Sequence, residues 1–167
     1  LAEPTLEADV RIVRALPEKS THIVALAAWL LDRARVPDQP LTPLSDAAVK
    51  NACRRAREGL CLSNDEDEEL HAILAAVRDM AERWPGMRIS QRKRLASRHI
   101  FGKCLDIVRA AQPSVAVAIG AQVTEMARDG IGVNPPALVT GDDLVAAGLK
   151  PSPLFKRVLD EVRDAQL

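Results

Sequence analysis

At 167 residues the chain has room for one domain or two small helical ones, and a chain of this length buries roughly 70% of its unfolded surface. Tyr is absent and Phe and Trp number two each, so the core must come from Leu, Val, Ile and Ala, a composition that favours closely packed helices and an all-α fold. Basic and acidic residues balance at 23 each, which excludes a global field drawing the protein to nucleic acid or a membrane; any such signal has to be local.

Cys53, Cys61 and Cys104 are odd in number, show no C-x-x-C or metal-ligand spacing, and read as reduced core thiols of a cytosolic protein. There is no secretory signal and no apolar run long enough to span a bilayer, which implies a cytoplasmic chain without a membrane partner. The chain starts at Leu1 without an initiating Met, and it reads as a piece of something longer.

Leu6, Val10 and Val13 recur at helical spacing and predict a short first helix closed by Leu16-Pro17. Ser20 or Thr21 caps the next, "HIVALAAWLLDRAR", which is apolar nearly all round and is therefore expected to be central. "PDQPLTPLSD" is a Pro-rich loop. Ser45-Asp46 opens a third helix with Ala48, Ala52 and Ala56 for close packing, a basic end at Arg54, Arg55 and Arg57, and Gly59 as its stop. Ser63 caps a fourth, whose acids from Asp65 to Glu69 suit the positive end of the helix dipole rather than catalysis. Its buried stripe is Leu70, Leu74, Val77 and Met80.

Pro85-Gly86 breaks the chain. From Arg83 to Lys103 there is then no acid, while Arg83, Arg88, Arg92, Lys93, Arg94, Arg98 and Lys103 are basic. With Ser90 as cap, Gln91, Arg94 and Arg98 fall on one helical face. Such a strip suits a phosphate backbone, where each Lys or Arg contact releases counterions without reading sequence, and equally suits a solvated face. "SVAVAIGAQVTEMARDG" is a further helix capped by Ser114, in which Gly120 permits a close helix contact or simply weakens the helix.

The terminal stretch predicts a helical hairpin. Thr140 and Asp143 form a capping-box start, Gly148 stops that helix with Leu149 as its apolar partner, and Ser152-Pro153 starts the last helix. Leu154, Val158, Leu159 and Val162 line one face of it.

That stretch, "TGDDLVAAGLKPSPLFKRVLDEVRDAQL", resembles the C-terminal motif "TGxDLxxLGLKPGPxFxxxLxxxxxAQL" of the bacterial-type tRNA nucleotidyltransferase (CCA-adding enzyme) and poly(A) polymerase family, with Ser152 where the family has Gly. "LCLSNDEDEELHAIL" is similar to the family's "LRLSNEEIERIxxLV", and "MRISQRKRLASRHIFGKCLDIVRAA" to its "MRLSxLKRFLRxPxFxxLLxLxxAD", with Ala110-Ala111 at the usual Asp. In the second helix Leu30-Leu31-Asp32-Arg33-Ala34-Arg35 stands where the family carries a relic of the metal-binding His-Asp pair; Leu31 replaces the His, and His22, His71 and His99 have no spacing to assemble a site.

The resemblance covers most of 16–167 and implies a compact all-α multi-helix bundle, like the C-terminal region of poly(A) polymerase, ending in the hairpin. It implies a helical body region at 1–84 and a helical tail at 85–167. It implies no catalytic residue and no metal in this chain: the Gly-Ser turn and Asp-x-Asp pair that hold magnesium and nucleoside triphosphate belong to a head and neck of the same polypeptide that the sequence does not contain. The expected partner is tRNA or another structured RNA, positioned for that head. The expected contacts are Arg92, Lys93, Arg94, Arg98 and Lys103 on phosphates, with a second anion site made by Lys150 and the N–H groups of the Pro153-Leu154-Phe155 turn, bordered by Lys156 and Arg157. The scarcity of aromatics argues against stacking on single-stranded bases. Two other readings stand beside this one: a stand-alone helical interaction or regulatory module that has lost RNA binding, and, with few base-reading side chains to support it, a DNA-binding helix-turn-helix.

Overall fold

A computed structural model describes residues 10–34, 41, 44–150 and 152–167. The start of the first predicted helix at Leu6 and most of the Pro-rich loop lie outside them. The chain is all-α, with no strand among the described residues, and divides into two compact units.

The first unit takes the described residues up to Pro85 together with His99–Gly120. It holds α1 (Arg11–Arg14), α2 (His22–Ala34), α3 (Asp46–Leu60), α4 (Asn64–Arg78), α6 (Phe101–Ala111) and the start of α7 (Pro113–Arg128). The predicted division at 84/85 lies beside the observed one at Pro85, but 99–120 returns to the first unit, so no single cut in the chain separates the two.

The hub of the first unit is α4, which packs against α2, α3 and α6. Ser63 starts it with a capping box: its hydroxyl accepts from the Glu66 N–H at 3.3 Å and the Glu66 carboxylate accepts from the Ser63 N–H at 2.8 Å. Leu70, Leu74, Val77 and Met80 are buried as their spacing predicts, joined by Ile73. The helix then widens into a π-helical turn at Asp79–Arg83 and tightens into a 3₁₀ turn at Trp84–Gly86, where Pro85 ends it. The ring of Trp84 meets that of Phe101, tilted, at 6.3 Å.

Helix α2 is less central than its composition suggests. Ile23, Val24, Ala27 and Leu31 are buried, but Trp29 on the opposite side is 42% exposed. Asp32, next to Leu31, has a structural task. It is buried, and its carboxylate accepts from the Ile12 N–H at 3.0 Å through either oxygen and from the Val13 N–H at 3.1 Å. Val10, at the start of α1, supplies no side-chain cap, so a residue of another helix satisfies the free donors of α1.

The stop of α3 also differs from expectation. The helix runs past Gly59 to Leu60 and ends at Cys61, held in the left-handed region at φ 53°, ψ 44°. Cys61 is exposed, so only Cys53 and Cys104 are the core thiols expected. Burial, with the nearby charge of Asp67 second, pushes the Cys53 thiol up to about 11.

The second unit is Gly86–Arg98 with Ala121–Leu167 and holds α5 (Ile89–Ala96), the end of α7, α8 (Gly141–Ala146) and α9 (Pro153–Gln166). The predicted hairpin is present, with α8 and α9 in contact. Thr140 and Asp143 form a reciprocal capping box, and the Thr140 hydroxyl and N–H hold the Asp143 carboxyl below its usual range. At the far end Gly148, at φ 85°, donates to the Val145 carbonyl at 2.9 Å while Leu149 donates to that of Leu144 at 3.1 Å. This pair of hydrogen bonds, with its left-handed residue, is the stop that Gly permits.

Candidate nucleic-acid interface

The acid-free run does not form one helical strip. Gln91 Oε1 accepts from the Arg88 N–H at 3.0 Å and starts α5 at Ile89, so Ser90 lies inside the helix instead of capping it. Ser114 likewise lies inside α7, which starts at Pro113. The run then turns at 97–100 and resumes as α6, which leaves Arg98 in the turn and off the face shared by Gln91 and Arg94. The units part here as well: Arg88, Arg92, Lys93, Arg94 and Arg98 belong to the second, Arg83 and Lys103 to the first.

Within the second unit these cations differ in availability. Lys93 is buried, at 2% exposure, which removes it from a phosphate-binding surface in this conformation. Arg92 is half-buried and donates to Gln122 at 3.2 Å. Arg94 uses all three guanidinium nitrogens on α9: Nε to Asp164 at 2.7 Å, one terminal nitrogen to the Asp160 carboxylate at 3.2 Å, the other to the Asp160 backbone carbonyl at 2.8 Å. It is a clamp between helices, not the free phosphate contact expected of it. In the first unit, Lys103 pairs with Glu69.

Arg98, Lys150 and Lys156 are exposed, and among the described residues no carboxylate pairs with them. Arg88, which the acid-free run includes, is exposed and unpaired too. Arg157 is exposed and reaches Glu161 one turn along α9 at 3.1 Å. The expected second anion site is thinner than its sequence suggests. Pro153 has no N–H, the Phe155 N–H donates to the Ser152 carbonyl at 2.9 Å, and only the Leu154 N–H remains of that turn. Ser152 stands at the N-cap position but makes no side-chain cap bond.

Gln166 in the terminal Ala-Gln-Leu has a role that the sequence did not reveal. Its amide donates to the Pro136 carbonyl at 2.6 Å and its oxygen accepts from Leu138 at 3.4 Å and from Arg163 at 2.8 Å, while Arg163 also reaches Asn134 at 2.9 Å. Together they pin the 134–138 segment before α8 onto α9. The only hint in the sequence is two non-aliphatic side chains spaced for one helix face, three residues apart.

Among the described residues no three His, Cys, Asp or Glu side chains converge to hold a metal, and no helix is long and apolar enough to cross a membrane. Compared with protein-family models, curated proteins and solved structures, the chain matches none.

Proposed function

We propose that this chain is the RNA-holding helical region of a CCA-adding tRNA nucleotidyltransferase or poly(A) polymerase, acting in the cytoplasm to position the 3′ end of a tRNA or other structured RNA for a catalytic head outside these residues. Magnesium and nucleoside triphosphate would be bound in that head, and this chain would contribute affinity and register. The supporting observation is that Arg98, Lys150 and Lys156 are exposed in one unit with no carboxylate paired to them among the described residues, while Arg94 ties α5 to α9 and so holds the helices flanking those cations together. One exposed cation on α9 and two in the segments next to α5 and α9 suit phosphates of an A-form arm, whose deep groove side chains cannot read.

The test is titration of tRNA and of duplex DNA over a range of salt. Arg98→Glu with Lys150→Glu weakens tRNA binding about tenfold or more and lowers the salt slope by about 1 or more, since a phosphate that no cation neutralises keeps its counterions. An unchanged slope in the double variant, or equal affinity for duplex DNA, would remove the assignment. One observation favours the rival, a helical interaction module without RNA: Arg94 and Lys103 both serve internal carboxylates. Absence of tRNA binding in low salt would select it.

A further inference from the structure

Helices α2 and α3 each pack on α4, and between them they leave an open groove of about 660 Å³. The wall from α2 is Leu26, Trp29, Leu30 and Arg33, a single stripe at helical spacing on the side away from its buried face. The wall from α3 is made mostly of small side chains, Ala48, Ala52, Ala56 and Gly59, with Asn51 and Arg55 among them and Leu60 at its end. That wall runs about 18 Å, some three helical turns. A helix apolar on both sides, such as α2, is normally covered on both, yet Trp29 is 42% exposed, and Leu60 at the end of the facing wall is 60% exposed.

The charge of the groove is one-sided. Its lining contains Arg33 and Arg55, one from each wall, and no acid. Arg33 lies over the Trp29 ring at 5.6 Å, and neither arginine pairs with a carboxylate among the described residues, although the neighbouring Arg54 does, with Glu58.

From this juxtaposition of an apolar stripe on α2 with a wall of small residues on α3, each carrying an arginine that no carboxylate among the described residues pairs, we infer that the groove receives an acidic amphipathic helix of a partner protein. An apolar face presenting anchors at i, i+3, i+4 and i+7 fills the space between α2 and α3, and acids flanking that face meet Arg33 and Arg55. The site lies wholly in the first unit and is independent of the RNA reading.

The probe is a synthetic helix of about four turns with leucines on one face and glutamates flanking them, paired with the same peptide carrying lysines in place of the glutamates. Trp29 reports directly, because the other tryptophan, Trp84, is already buried at 3% exposure. The glutamate peptide is expected to saturate the chain, shift Trp29 emission to the blue, and bind about tenfold tighter than the lysine peptide. Arg33→Glu with Arg55→Glu reverses that order, and Leu60→Asp, at a position too exposed to affect folding, weakens the glutamate peptide. The inference is overturned by no change in Trp29 at saturating peptide, by equal binding of the two peptides, or by an unreversed order in a double variant whose helical circular dichroism is intact. It is also overturned if the chain alone sediments as a dimer that Ala52→Arg dissociates, since a second copy would then be the occupant.

Discussion

Arg94 and Asp164 meet at 2.7 Å although 70 residues separate them, and with Asp160 one turn earlier they make a three-bond contact between α5 and α9. Both partners are about half or one-third exposed, so solvent screening limits the ion pair to about 1 kcal/mol despite its geometry. Arg94→Ala is expected to lower stability by about that amount and to raise amide exchange in α9 before α4. Arg94→Asp with Asp164→Arg restores part of the protection. If RNA binding falls more in Arg94→Ala than in Arg98→Glu with Lys150→Glu, Arg94 is a ligand contact and the clamp is secondary.

Asp32 bridges α2 to α1. Its removal leaves the Ile12 and Val13 amides without an acceptor, and Ile12 is 1% exposed. Asp32→Ala should therefore lower unfolding free energy by about 2–3 kcal/mol, with Asp32→Asn intermediate because one acceptor oxygen survives. Denaturant unfolding gives the magnitude. Amide exchange locates it, since Ile12 and Val13 should lose protection first; equal protection in Asp32→Ala would show that α1 is held by packing alone.

Cys61 occupies a left-handed conformation in which its Cβ crowds the following carbonyl oxygen, and its exposed side chain offers little in return. Cys61→Gly relieves the crowding, offset in part by the greater freedom of Gly in the unfolded chain, and should add about 0.5–1 kcal/mol. In a chain this size that corresponds to a rise in Tm of roughly 1–4 °C. Cys61→Ala, which keeps the crowding, is the control and should gain almost nothing.

Glu66 contributes to the loss of stability in acid, alongside Asp46 and Asp143. The Ser63 N–H, then His22 at 2.8 Å, then the Ser63 hydroxyl hold its carboxyl down at about 2. Because the folded value lies below the unfolded one, the contribution is fully present above the unfolded carboxylate range and is lost as pH falls from about 4.5 towards 2. Glu66→Gln keeps an acceptor for the cap without titrating, and should flatten this part of the stability profile. An unchanged acid limb in that variant would assign the loss to other carboxylates, such as Asp46, which its bond to Arg78 also holds below the usual range.

Many local signals hold, although the expected Ser90 and Ser114 caps and the Gly59 stop do not. The all-α class, the Ser63 and Thr140 caps, the Gly148 stop, the break at Pro85-Gly86 and the buried stripe of α4 each depend on a few adjacent residues or on one period, and each stands as read. What a cation or an acid does is decided by what folds against it. Lys93, Arg94 and Arg98 lie within six consecutive positions, yet one is buried, one is clamped by carboxylates from the far end of the chain, and one has no carboxylate partner among the described residues. Asp32 enters the sequence reading only through a resemblance and caps α1 in the fold; the apolar helix α2 reads as central and leaves Trp29 beside an open groove. A side chain's charge and polarity are intrinsic, but its exposure and its partners come from segments tens of residues away, so tertiary structure alone separates a structural arginine from an available one.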